Sequence, residues 1–221
     1  GFGASQLAAQ SQVKQAAHPV YIFSKHLQFL GYEDMAQAAA EIGFDGIDLT
    51  VRPGGHVLPE TVTRDLPKAV KVISDEGLAI ETISTEVTRS DDPQTRDVLQ
   101  AAKDNGIREY RIGMRRYELS QPIEEQVNEW AADISGLSRL NSSIGITGAV
   151  QNHSRFYLGA LIGDLWKAIK EADPANLGCQ FDACHAVAEA AISWPVGFHL
   201  LKSRITALIV KDFDFTQSER G

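Results

Sequence analysis

The chain has 221 residues, 43% apolar and 23% charged, with 21 Lys+Arg against 29 Asp+Glu and a formal net charge of −8. Such a length supports a single globular core, and no apolar run reaches the ~18 residues that a membrane span needs. The acidic balance argues against a nucleic-acid backbone as partner, because such binding rests on clustered Lys and Arg, and two Cys, at 179 and 184, cannot build a disulfide framework.

Residues 1–18 (GFGASQLAAQSQVKQAAH) are rich in Ala, Gln and Ser and show no periodic apolar face. They read as a flexible or helical N-terminal extension ahead of one domain at 19–221. Their small residues also fit the tail of an export signal, which would place the protein in the periplasm or outside the cell. A simple leader would leave it in the cytoplasm.

From residue 19 onward a unit repeats. Short β-branched or apolar runs begin near Val20, Gly46, Ala79, Tyr110, Ile146, Gly178 and Ile205, about 31 residues apart on average. Helical patterns lie between them at 32–42, 60–76, 95–105, 123–140 and 161–171, with a further one after His185. Gly43, Gly77 and Gly106 follow three of these helices, as C-terminal caps do. Strands alternating with such helices predict right-handed βαβ units and a parallel sheet. Seven units at this spacing point to an α/β fold of the TIM (β/α) barrel type. No GxGxxG follows the first strand and no GxxxxGK[ST] occurs, so a nucleotide-binding open sheet loses its main support.

Barrel enzymes carry their chemistry where strands end and βα loops begin. The expected strand ends are rich in titratable and amide groups: Ser24-Lys25-His26, Thr50 running on to Arg52 and His56, Ser84-Thr85-Glu86, Tyr110-Arg111, Gln151-Asn152-His153, Asp182 to His185, and Val210-Lys211-Asp212. The strand bodies read as mostly apolar. Alternation places Gln151 with His153, Gln180 with Asp182, Ser84 with Glu86, and Ile209 with Lys211 on shared faces. Asp45 and Asp48 read as structural, and Arg111 as an ion-pair partner. Cys179 and Cys184 read as core residues rather than ligands. A single strand-end His or Asp is more often a cap than a reactive group. A constellation spread over seven strands reads instead as a polar small-molecule site.

Four segments also resemble the sugar phosphate isomerase/epimerase family, the xylose isomerase-like barrels: 43–60 (GFDGIDLTVRPGGHVLPE), 151–153 (QNH), 178–186 (GCQFDACHA) and 210–213 (VKDF). The resemblance implies a divalent metal (Mn, Mg, Zn or Co) at the barrel mouth, held by Glu, Asp, His and Glu from strands five to eight. A dication bridging two sugar oxygens stabilises the ene-diolate formed when a proton leaves the carbon beside a carbonyl. Asp182 keeps its place in that pattern, but Gln151 stands where the first Glu belongs and Ile209 where the His belongs. The implied metal set here is therefore Gln151, Asp182 and His185. Glu86, Asp182 and Lys211 are the catalytic candidates, as general base, carboxylate anchor and oxyanion partner. His26, Arg52, His56, Arg111 and His153 are the candidates for substrate binding.

The expected activity is a sugar isomerase, epimerase or related lyase acting by proton transfer next to a carbonyl. The alternatives are a non-catalytic carbohydrate-binding or degenerate barrel and, less well matched to the acidic charge, a metal-dependent abasic-site nuclease. The eighth βα unit of a complete barrel is expected near residue 236. The chain is thus expected to lack that unit, being truncated or having the N-terminal extension or a second copy in a homo-oligomer cover the open edge.

Overall fold

A computed structural model describes residues 18–212. The sequence readings for the extension before residue 18 and for the segment after Asp212 lie outside the described residues. Seven strands are present: β1 (Tyr21–Phe23), β2 (Gly46–Val51), β3 (Thr82–Thr85), β4 (Glu109–Arg111), β5 (Thr147–Gln151), β6 (Leu177–Asp182) and β7 (Ile205–Ile209). They form one sheet in the order β1-β2-β3-β4-β5-β6-β7, each strand parallel to its neighbour. Connecting them are α1 (Tyr32–Ile42), α2 (Val62–Asp75), α3 (Thr95–Asp104), α4 (Ile123–Ile144), α5 (Ile162–Ile169), α6 (Ala183–Ala190) and α7 (Trp194–Leu201). The result is a curled sheet of seven βα units. Among the described residues no eighth strand pairs with β7, and no helix is long and apolar enough to cross a membrane.

Local chemistry explains the boundaries. Gly43 ends α1 at φ 98°, a left-handed conformation that glycine adopts without a Cβ clash. The last helical pattern begins earlier than the sequence suggests, at Ala183, because Asp182 caps it: Oδ1 accepts from the His185 backbone N–H at 3.0 Å. The third strand starts at Thr82 rather than Ala79, which makes only an isolated bridge to Gly46. The residues after β1 wind into a 3₁₀ turn over Ser24–Leu27.

The apolar core lies between sheet and helices. Ile47, Leu49, Ile83, Tyr110, Cys179 and Phe181 pack outward against Met35, Leu66, Leu99, Ile134, Leu137 and Leu165, all buried. The opposite, inner face of the sheet is polar, contrary to the reading of the strand bodies as mostly apolar. The apolar strand residues are those on the alternate, helix-facing positions. Inside, Ser84 Oγ donates to Asp48 Oδ2 at 2.9 Å. Gln180 Nε2 donates to Glu109 Oε1 at 2.8 Å and to Thr82 Oγ1 at 3.3 Å, tying β6 to strands that are not its neighbours.

Close packing at the bottom of β2 gives a direct test of this geometry. A Cβ added to Gly46 would lie 2.2 Å from the Tyr21 ring and 2.3 Å from the Ala79 carbonyl oxygen. Gly46→Ala is expected to cost about 1–3 kcal/mol in urea unfolding, since backbone must shift to admit it.

Candidate active site

The carboxyl ends of β4, β5 and β6 and the segment after β7 converge on Asp182, which is fully buried. Its Oδ1 is engaged by the α6 cap. Its Oδ2 accepts from Gln151 Nε2 at 2.9 Å and from Lys211 Nζ at 2.8 Å. Asn152 fixes the backbone of this residue from both sides: its Oδ1 accepts from the Asp182 N–H at 2.7 Å, and its Nδ2 donates to the Asp182 carbonyl at 2.9 Å. Gln151 Oε1 accepts in turn from Arg111 Nη1 at 3.1 Å. A flipped Gln151 amide would set oxygen against carboxylate and N–H against guanidinium, so its orientation is determined by its neighbours.

Two imidazoles complete this side. Lys211 Nζ lies 2.8 Å from His185 Nε2, and an ammonium can only donate there. His185 is therefore neutral with its proton on Nδ1. Burial, partly opposed by the Asp182 charge, holds its pKa well below the ordinary histidine value. The His153 ring lies 4.0 Å from that of His185, centroid to centroid. His153 Nδ1 stands 3.1 Å from the Ser154 carbonyl, which can only accept, so neutral His153 presents an acceptor at Nε2. Burial lowers its pKa as well.

The other side of the mouth is built on Phe23. The guanidinium carbons of Arg111 and Arg52 lie 5.4 and 5.8 Å from its ring centroid, within cation–π range. Arg52 Nη1 reaches Glu86 Oε1 at 3.5 Å, and the Glu86 side chain is 51% exposed. Glu86, Arg52, Phe23, Arg111, Gln151, Asp182, Lys211, His185 and His153 thus follow one another around the mouth, with the Phe23 ring between the two guanidinium groups. Two predicted binding residues stand outside it. His26 is exposed and packs its ring on the Phe23 edge, at 5.9 Å between centroids, because the 3₁₀ turn carries it away. His56 joins a separate cluster, with Nδ1 3.2 Å from Thr50 Oγ1 and its backbone N–H donating to that same oxygen.

Asp48 and Glu109 are interior carboxyls that the strand-end pattern passes over. Burial pushes the Asp48 carboxyl up to about 7, with Arg111, Ser84 and Arg52 pulling the other way. Its Oδ1 is shut from solvent and meets no hydrogen-bond partner. Burial likewise raises Glu109, against hydrogen bonds from Gln180 and Thr206. Carrying the alternation of Ser84 and Asp182 across to β2 and β4 places both of them inside. Asp45, by contrast, is structural, its Oδ2 accepting from the Val20 N–H at 2.7 Å.

The fit to a divalent ion follows from these donors. Asp182, Cys184 and His185 offer one ligand atom each within 4.8 Å of one another. Cys184 is half-buried in the first turn of α6 rather than in the core, whereas Cys179 is buried and its thiol is pushed up to about 12. The Lys211 ammonium already bridges Asp182 Oδ2 and His185 Nε2, and the Gln151 oxygen is turned toward Arg111. As arranged, the set does not fit a dication.

A seven-unit βα sheet with polar groups at its carboxyl edge defines a TIM-type barrel. The family model of the xylose isomerase-like TIM barrel matches residues 36–221, and the chain belongs to that family. Among solved structures, it is similar to AsbF of Bacillus anthracis, a probable 3-DHS dehydratase involved in petrobactin synthesis. The TM-score there is 0.69 at 16% identity, covering 86% of this chain and 72% of that one. It is also similar to the E. coli 3-keto-D-glucoside 4-epimerase YcjR, with TM-score 0.67, 13% identity, and 86% and 77% coverage. An L-ribulose 3-epimerase gives TM-score 0.66 and 18% identity, with 86% of this chain and 68% of that chain covered. At these identities the likeness is one of fold. No curated protein sequence matches the chain significantly.

Proposed function

We propose that the protein modifies a sugar or sugar derivative by moving a proton at the carbon next to a carbonyl, as an isomerase, an epimerase or a related β-eliminating lyase. The observation that carries this reading is the set of polar groups gathered across the barrel mouth, Glu86 and Arg52 joined through the Phe23 ring to Arg111, Gln151, Asp182, Lys211 and His185, with the His153 ring against that of His185. The names of the fold neighbours, two epimerases and a dehydratase, support it.

Each group has a task in that chemistry. Glu86, at the rim, takes the proton from carbon as general base. The electron pair moves to the carbonyl oxygen, and the resulting enediolate faces the Lys211 ammonium and the Arg111 guanidinium. Returning the proton to the former carbonyl carbon, with the hydroxyl proton passing from the one oxygen to the other, gives isomerisation, and returning it to the other face of the first carbon gives epimerisation. Loss of a β-hydroxyl as water gives the lyase. Asp182 anchors Lys211, while Arg52 and the His153 acceptor bind hydroxyl or acidic groups.

Incubation with ketoses and 3-keto-glycosides in deuterated water tests this by proton NMR. Loss of the signal from the C–H beside the carbonyl is the expected result, and full retention in every substrate rules the reading out. One observation favours a non-catalytic carbohydrate-binding barrel instead: both Asp182 oxygens are engaged, and Gln151 cannot act as a base. That reading gains if sugars raise the melting temperature while no C–H exchanges.

A further inference from the structure

We propose that the Lys211 ammonium is the resident cation of this site, standing where the family resemblance places a divalent metal, so that the site is metal-independent. The space that a dication would need is the gap between Asp182 Oδ2 and His185 Nε2, which are 3.6 Å apart. Lys211 Nζ sits 2.8 Å from each of them. These are ordinary lengths for charge-assisted hydrogen bonds and leave neither atom facing an empty coordination position.

The amide beside them is set for the same arrangement. A metal-ligating Gln151 would aim its oxygen at the ion, yet that oxygen accepts from Arg111 Nη1 and the Nε2 donates to Asp182. Turning the amide toward a metal would press its N–H groups against the guanidinium and take its donor away from Asp182 Oδ2. Electrostatics agrees with the geometry. Lys211 already meets the fully buried Asp182 carboxylate, and Arg111, 6% exposed, stands behind Gln151. A dication would add two positive charges within a few ångströms of Lys211 beside this buried carboxylate. Ile209, in register with Asp182 on the neighbouring strand, supplies no ligand.

An ammonium carries three N–H donors. Two are taken by Asp182 and His185, and the side chain is 41% exposed, so the third serves an incoming oxygen. The inferred ligand chemistry is therefore a carbonyl, hydroxyl or carboxylate oxygen met by a fixed monocation, with Asp182 holding that cation in place. This inference stands independently of the carbohydrate reading, since it holds for any ligand that brings such an oxygen.

The test uses the chelator-dialysed whole chain, titrated with Co²⁺ by visible absorption and with Mn²⁺ and Zn²⁺ by calorimetry. Wild type is expected to show no saturable binding at micromolar metal and no change of melting temperature with chelator. Lys211→Ala, with Lys211→Gln as a second variant nearer wild type in length, opens the Asp182–Cys184–His185 set. These variants are expected to bind Co²⁺ at least roughly tenfold more tightly than wild type, because a charge some 3 Å from the ion is removed. Stoichiometric Co²⁺ or Mn²⁺ binding by wild type, or a chelator-dependent loss of its stability, overturns the proposal whether or not any sugar is turned over. Variants that fold but bind metal no better than wild type overturn the role given to Lys211.

Discussion

Asp182→Ala is expected to lower the unfolding free energy by about 2–4 kcal/mol, a large effect for one polar side chain. Two losses add. The α6 cap disappears, worth about 1 kcal/mol, and the buried Gln151 N–H loses its acceptor, at about 1–3 kcal/mol. Lys211 contributes less than a buried partner would, because it is 41% exposed and returns to water when its carboxylate is gone. Asp182→Asn separates the terms. Asparagine caps a helix as well as aspartate does, so it is expected to recover about half of the loss while still releasing Lys211. Urea unfolding followed by circular dichroism measures both variants. An alanine variant within about 0.5 kcal/mol of wild type would show that Asp182 is not the keystone of the mouth.

The second large effect is a dependence on pH. Asp48 has its carboxyl raised from 3.8 to about 7, mainly by burial. A raised carboxyl means that the folded protein holds a proton that the unfolded chain has released. Stability from this group is therefore full below pH 3.8, falls as pH rises toward 7, and is level above. Each pKa unit is worth about 1.4 kcal/mol, so the ceiling is about 4 kcal/mol. The residue as a whole is only half-buried, although its Oδ1 is shut off, and solvent screening brings the expected fall to about 2–3 kcal/mol. Asp48→Asn removes this titration. The unfolding free energy of wild type is expected to drop by about 1–2 kcal/mol between pH 5 and pH 8 relative to the variant, the part of that fall lying above pH 5. Parallel pH profiles for the two proteins would contradict the burial of a protonated carboxyl in the barrel interior.

The architecture is legible in the sequence because its signal is redundant. Seven β-branched runs, intervening amphipathic helices and Gly43, Gly77 and Gly106 at helix ends all repeat one spacing, and the family match over residues 36–221 agrees with it. Contacts at the mouth are partly legible for a similar reason. A residue at a strand end such as Gln151 or Asp182 is placed by the strand, and alternation puts Gln180 and Asp182 of β6 on one face. What alternation does not carry is the direction of a loop. Arg52 and Lys211 fold back onto the mouth, whereas His26 and His56 leave it, the first through a 3₁₀ turn and the second onto the Thr50 hydroxyl. Asp48 reads in the sequence as structural alongside Asp45, whose Oδ2 accepts from the Val20 N–H. Its inner position needs the β2 register, in which it lies opposite Phe23.

The neighbour-by-neighbour strand order has a kinetic meaning. Paired strands are joined over 25 residues (Tyr21 to Gly46) to 38 residues (Glu109 to Thr147), so each pairing closes a loop of similar size. The chain can therefore assemble as a nearest-neighbour array, each βα unit docking on the one before it. The bond from Gln180 to Thr82 breaks that rule, spanning 98 residues. Closing a loop about three times longer costs roughly 1 kcal/mol more in chain entropy. It forms readily only once the intervening strands have brought its ends together. The polar interior of the barrel is thus organised last, by a sheet that has already found its order from its apolar outer face.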